Sequence, residues 1–211
     1  MVRIDQLSAL RTHLYHLTAW SNLPGIQAER GLHPAATTLA EARLSTTERR
    51  RRHTIVRIGG RSVHVRDQTP LHEGSIAFDR GWGIARLVEH INSHVFFWPG
   101  SVSGPIASGL NHYARYASER PAILRIPIQS LLRANAGRTP LFCRFNSGAP
   151  RVSGGKYSPR GASTYAPASR FPGTRSQVIE VVFRGFVALP EDTAMGRSPS
   201  GNWQRLYTAA A

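Results

Sequence analysis

The sequence predicts an α+β fold in one domain spanning residues 1–211. Three observations point there. Short segments of strand and helix character intermix along the chain without the regular βαβ alternation of a doubly wound sheet. The chain has 211 residues, of which 41% are hydrophobic, enough for one domain with a real core. The single cysteine, Cys143, excludes an intramolecular disulfide or a cysteine-rich zinc site, so packing must hold the fold.

The elements follow in order. Residues 5–13 predict a short helix, and Leu14–Thr18 a buried strand. Ser21 or Asn22 caps a helix from about Leu23 to Arg30, which Gly31 stops. Residues 38–52 read as a helix ending in the run Arg49-Arg50-Arg51-Arg52. Thr54–Ile58 and Arg61–Val65 flank Gly59-Gly60, a two-residue hairpin signal. Gly83–Asn92 is a helix, and Val95–Trp98 an apolar strand broken by Pro99 and Gly100. Gly104-Pro105 opens a helix with the stripe Ile106, Leu110, Tyr113, Ala114 and Ala117. Ala122–Ile126 is a strand, followed by a helical turn or two to Arg133. Residues 143–176 lose all period and read as a long basic loop, functional or disordered. Gln177–Phe183 is a strand, Gly185 a break, and Phe186–Leu189 another strand.

Net charge is +15, and Lys156 is the only lysine among 27 basic residues. Arginine forks match phosphates in a planar, bidentate way, so the balance points to a polyanionic partner. Arginine enrichment from a GC-rich genome would produce the same composition. Met1–Leu10 mixes Arg3, Asp5 and Gln6 with apolar residues, unlike a signal peptide. No stretch approaches the roughly 18 apolar residues of a membrane span. A cytoplasmic protein with no membrane partner is expected.

Several motifs fail on spacing. Gly148–Lys156 has the wrong glycines for a phosphate loop, and Tyr157 stands where Ser or Thr would hold magnesium. Gly100–Gly104 is not a nucleophile elbow, and Gly81-Trp82-Gly83 is not a dinucleotide fingerprint. His13 and His16 have no third ligand at a matching spacing, so no metal is expected. Cys143 beside Phe142 reads as a small core residue.

Two blocks carry chemistry. In the first, the strand Leu14-Tyr15-His16-Leu17-Thr18 leads at once into the helix carrying Asn22, Leu23 and Ile26. In the second, Gln177-Val178-Ile179-Glu180-Val181-Val182-Phe183 places an acid inside a strand of apolar residues. A carboxylate among apolar side chains is expensive unless it has a partner or a task. By themselves, His16 is also compatible with a core histidine at a strand end, and Glu180 with a charge guarding an edge strand.

The two blocks, in this order, resemble the ADP-ribosyltransferases, and more closely the DNA-modifying toxins of the DarT type. Arg49–Arg52 and Val95-Phe96-Phe97-Trp98-Pro99 resemble the basic helix and aromatic-proline strand of that family. The resemblance covers most of residues 14–190, although Gly100-Ser101 stands where the family has Arg-Ser-Pro. It implies a split β-sheet core with flanking helices, NAD as substrate and no metal. It implies Glu180 as the carboxylate that stabilises the oxocarbenium-like ribose and orients the acceptor. His16 and Thr18 would hold the ribose and nicotinamide. One arginine of the run, with Arg51 chosen, would grip the pyrophosphate or the acceptor. Tyr113 or Phe97 would stack on nicotinamide, with core packing the alternative for Phe97. Arg144, Arg151 and Arg160, interleaved with Phe145, Tyr157 and Tyr165, would line a path for nucleic acid, single-stranded by preference. An antitoxin is the protein partner that a toxin of this kind implies. Transfer to a protein side chain, bare NAD hydrolysis and a non-catalytic nucleic-acid binder are the competing readings. The position of Glu180 separates them: facing His16 in a cleft favours the enzyme, and facing solvent at an edge favours the binder.

Overall fold

The computed structural model of the chain describes residues 4–207. Residues 1–3 and 208–211, and with them the start of the Met1–Leu10 segment and both ends of the 1–211 domain, lie outside that range. In chain order the helices and strands are α1 (Ile4–Leu10), β1 (His13–Thr18), α2 (Leu23–Glu29), β2 (Gly31–Leu32), α3 (Ala35–Glu41), β3 (Thr54–Ile58), β4 (Arg61–Val65) and β5 (Ile76–Phe78). There follow α4 (Ile84–Asn92), β6 (His94–Ser101), β7 (Gly104–Pro105), α5 (Ala107–Tyr116), β8 (Ala122–Pro127), α6 (Ile128–Ala134) and β9 (Leu141–Cys143). The rest are β10 (Ser158–Arg160), β11 (Ala166–Pro167), β12 (Glu180–Arg184), β13 (Val187–Ala188), β14 (Ala194–Gly196) and β15 (Gln204–Arg205). The fold is α+β, with helices around a mostly antiparallel sheet.

The main sheet has the order β11-β9-β12-β6-β1-β8-β14-β15, and β7 pairs with β6. Its middle strand changes partner halfway. The first half of β6 pairs with β12, from Arg184↔His94 to Val181↔Phe97. The second half pairs with β1, from Tyr15↔Trp98 to His13↔Gly100. Beyond Tyr15, β1 continues against β8 alone, through His16↔Leu124 and Thr18↔Ala122. The sheet therefore splits between β1 and β6, and the last residues of β1 border the gap.

Alternation along β1 sorts its side chains. Tyr15 and Leu17 pack with Trp98, Tyr116 and Ile123 on one face, whereas Leu14 joins the main core on the other. Phe97 is fully buried in that main core and packs edge-on against Phe183, with centroids 6.0 Å apart. Truncating either ring to alanine should cost about 3–5 kcal/mol.

Four local expectations are corrected. The helix expected over 38–52 stops at Glu41, because Arg43 adopts a left-handed conformation at φ 57°. The chain then turns so that Arg50 and Gln68 exchange a backbone bond, Gln68 N donating to Arg50 O at 2.7 Å. Pro99 and Gly100 do not end the strand. A Cβ on Gly100 would meet Gly104 O at 2.3 Å and Tyr15 at 2.7 Å, so the glycine lets β6, β7 and β1 close on one another. Gly104-Pro105 forms β7, and the helix begins at Ala107. Residues 143–176 are packed rather than loose: β10 pairs with β5, β11 pairs with β9, and Ser147, Ser158, Arg160, Tyr165 and Phe171 are buried.

The β3–β4 hairpin forms as expected, with Gly59 and Gly60 at φ 54° and 78°. Asn22 docks it against β1. Its Nδ2 donates to His64 O at 2.9 Å and to Thr18 Oγ1 at 3.1 Å, and its Oδ1 accepts from His64 N at 2.8 Å. The hairpin thereby forms one wall of the gap in the sheet. No helix among the described residues is long and apolar enough to cross a membrane.

Candidate active site

A cavity of about 830 Å³ opens at the split, large enough for a dinucleotide-sized ligand. His16 and Thr18 from β1, Glu180 from β12, Arg50, Arg66 and Gln68 beside the hairpin, Asn92 from α4 and the segment Asn146–Gly148 all line it. Glu180 and His16, far apart in sequence, thus meet at one cavity.

His16 bridges the split. Its Nδ1 lies 2.9 Å from Phe96 O, and a carbonyl only accepts, so Nδ1 carries the proton. Burial pushes its pKa down to about 4. The ring is therefore neutral at physiological pH, with Nε2 left as an acceptor. That suits a ribose hydroxyl donor.

Glu180 is 2% exposed, and both carboxylate oxygens accept from the backbone N–H of Ser147 at 3.2 Å. Burial raises its pKa to about 7, against the lowering effect of the Ser147 bonds and of Arg160. A carboxyl group poised there can act as a carboxylate and take up a proton in the same pH range. Cys143 lies opposite Glu180 in the sheet, and its thiol is pushed up to about 12 by burial. It is a core thiol, not a nucleophile.

Several candidates fall elsewhere. Arg51 is exposed and outside the cavity; Arg50 is the arginine of the run that lines it. Arg50 Nε donates to Arg66 O at 2.9 Å and Nη1 to Asn92 Oδ1 at 3.0 Å, while Gln68 Nε2 shares the same Asn92 oxygen at 3.1 Å. Burial lowers its pKa to about 10, which leaves it charged at neutral pH. Phe97 belongs to the core, and Tyr113 sits outside the cavity with its hydroxyl on Arg197 O at 3.1 Å. Phe96, Trp98 and Tyr116 are the aromatic side chains that line the cavity. Trp98 Nε1 is buried without a hydrogen-bond partner among the described residues. Arg144 and Arg151 are exposed, as a nucleic-acid path needs, but Arg160 is 1% exposed and cannot contact a strand.

Sequence reasoning missed Asn92, Gln68, Ser147, Arg66 and His112. Asn92 had a faint signal, a polar residue after Ile91 at the end of an apolar stripe. Ser147 had none, because Glu180, the group that it bonds, lies far along the chain.

Among the described residues, His53, His64 and Glu119 form one group with metal-ligand chemistry, their donor atoms within 4.8 Å of one another. The His53 ring is already committed. Its Nδ1 accepts from Asp67 N at 3.3 Å, so Nε2 holds the proton that it donates to Glu119 Oε1 at 2.8 Å. Arg66 Nη1 takes the other Glu119 oxygen at 2.9 Å. The group clasps the hairpin to the chain just beyond α5.

A family model described as Family of unknown function (DUF7002) matches residues 12–192, a span that includes both His16 and Glu180. No curated protein and no solved structure matches the chain.

Proposed function

The chain belongs to the DUF7002 family, and we propose that it is a cytoplasmic ADP-ribosyltransferase that transfers ADP-ribose from NAD to nucleic acid, in the manner of a toxin or defence effector. One observation carries the reading: a buried, apolar-flanked Glu180 faces the same large cavity as a neutral His16, at the split of the sheet. A split core is also what the resemblance to the ADP-ribosyltransferases implies. A non-catalytic binder has no use for a carboxylate held in a cavity at that desolvation cost.

In this reading Nε2 of His16 and the Thr18 segment hold the ribose next to nicotinamide, and Arg50 faces the pyrophosphate. The bond between ribose C1′ and the nicotinamide nitrogen breaks, and its electron pair leaves with neutral nicotinamide. The ionised Glu180 stabilises the positive charge left on the ribose. A nucleophilic nitrogen or oxygen of the acceptor then bonds to C1′, and its proton passes to Glu180.

Exposed arginines support a nucleic-acid acceptor. Arg144 and Arg151 flank the segment Asn146–Gly148 that lines the cavity. Incubation of the chain with labelled NAD and, separately, DNA, RNA and a protein lysate tests the proposal, with Glu180→Gln as control. Label on nucleic acid that vanishes in the variant is expected. Absence of any NAD consumption would reject it.

A further inference from the structure

We propose that Arg160 is the positioning residue of Glu180, and that it acts through the single peptide group joining Asn146 to Ser147. The inference rests on reading Glu180 as the catalytic carboxylate.

Among the described residues Arg160 heads the largest fully buried side chains, 1% exposed. A guanidinium is expensive to bury without an anion. Yet among the described residues its donors reach only neutral oxygens. Nε donates to Ser147 O at 3.3 Å, Nη1 to Ser158 Oγ at 2.7 Å and Pro159 O at 2.8 Å, and Nη2 to Asn146 O at 3.1 Å. The ring of Phe145 covers its face at 4.9 Å.

The compensating charge is one peptide away. The Asn146 carbonyl that accepts from Arg160 and the Ser147 N–H that donates to Glu180 belong to the same peptide group. A cation sits at its oxygen end and a carboxylate at its hydrogen end. Each polarises the peptide in the same sense, which strengthens both bonds in a low-dielectric interior. Two buried charges thereby stabilise one another without touching, and the cavity-lining segment Asn146–Gly148 is fixed between them.

The charged and titratable groups that face Glu180 are Cys143 across the strand pair, Tyr165, Arg160, and His16 across the cavity. Burial drives the thiol and the phenol upward and the imidazole downward, so all three stay neutral near pH 7. Arg50 and Arg66 line the same cavity, but Arg160 is the cation whose charge acts on Glu180. Without it, desolvation acts on Glu180 with less opposition, and the carboxyl group holds its proton to higher pH.

The test is carboxyl carbon NMR of the full chain, with Glu180→Gln identifying the Glu180 signal. In Arg160→Gln the Glu180 midpoint should rise by about one pH unit or more. The ascending limb of kcat should move with it, so that activity lost near neutrality returns in alkaline buffer while KM for NAD changes little. An arginine that merely holds the fold would lower kcat at every pH. An unmoved midpoint in folded Arg160→Gln overturns the proposal. If that variant does not fold, the wild-type chain decides: the Ser147 amide proton should shift with the same midpoint as Glu180, and an amide that ignores the titration overturns the proposal. Neither NMR reading depends on turnover. Full activity of Glu180→Gln would therefore defeat the catalytic reading alone, and an unmoved midpoint would defeat the relay alone.

Discussion

His16 reaches across the split sheet and donates from Nδ1 to the carbonyl of Phe96 at 2.9 Å, on a strand that β1 no longer pairs with at that level. This bond fixes the tautomer and turns Nε2 into a dedicated acceptor. His16→Ala should therefore weaken NAD binding by about 1–3 kcal/mol, or roughly 5- to 150-fold in Kd. The folded-state pKa of His16 is depressed to about 4, so the ring stays neutral from mildly acidic to alkaline pH. In the Glu180→Gln chain, which lacks the carboxyl group that titrates at about 7, NAD affinity should show no titration near the ordinary histidine value of 6.5. Calorimetry across that range checks both statements, and equal affinity of the wild-type and alanine chains would leave His16 a strand-end core residue.

If Glu180 is the catalytic carboxylate, Glu180→Gln should lower transfer by roughly 100-fold or more while NAD still binds, because it removes the charge that would face the ribose but keeps the shape. The same substitution should stabilise the fold in alkaline buffer. The folded-state pKa is raised from 4.5 to about 7, so between those values the unfolded chain gives up its proton first and stability falls as pH rises. The penalty is complete above about pH 7 and on the order of 3 kcal/mol. Glutamine carries no such penalty. The Tm difference between variant and wild type should be small near pH 4 and several degrees in the variant's favour near pH 8. An equal difference at both pH values would contradict a desolvated carboxylate.

Within the arginine run, Arg50→Ala should raise KM for NAD and also destabilise the fold. It deletes the donor to Arg66 O and one of the two donors to Asn92 Oδ1 in a buried network, a loss of about 1–3 kcal/mol. Arg51→Ala, on the exposed neighbour, should change stability by less than about 0.5 kcal/mol and leave KM alone. Steady-state kinetics and melting curves on the two variants discriminate them; equal KM values for both would remove Arg50 from the site.

The contrast between Arg50 and Arg51 also marks where sequence reading runs out. The strands β1, β3, β4 and β8 were legible, because alternation, apolar runs and Gly59-Gly60 are local signals. Glu180 stood out as an acid set into an apolar strand, whereas His16 alone read as a core histidine and was singled out through the resemblance. Four consecutive arginines carry no period, so only the turn at Arg43 and the pairing with Gln68 decide which of them faces inward. Gly100 read as a breaker because its role, a close crossing of three backbones, is set by strands distant in sequence. Arg160 read as surface because its partners are backbone oxygens, which no residue pattern announces.

The acceptor prediction follows from the burial of Arg160. With that side chain withdrawn into the interior, the arginines of the 143–176 segment available to a nucleic acid near the site are Arg144 and Arg151, with Arg170 and Arg175 exposed further along. Arg144 is tied only loosely, by Nη1 to Pro172 O at 3.2 Å, which leaves most of its donors for phosphate. Replacing Arg144, Arg151 and Arg175 together by glutamine should weaken use of a nucleic-acid acceptor far more than NAD hydrolysis. It should also flatten the salt dependence of acceptor binding, because a chain that neutralises fewer phosphates releases fewer counterions. Single-stranded acceptors should outperform duplexes, since chemistry on a base requires that base to be unstacked, and a single strand offers this at least cost. Labelled NAD, single- and double-stranded DNA and RNA, and a salt series read all three effects in one assay. Label found only on protein, with acceptor binding indifferent to salt, would refute a nucleic-acid target and leave the net charge of +15 without that explanation.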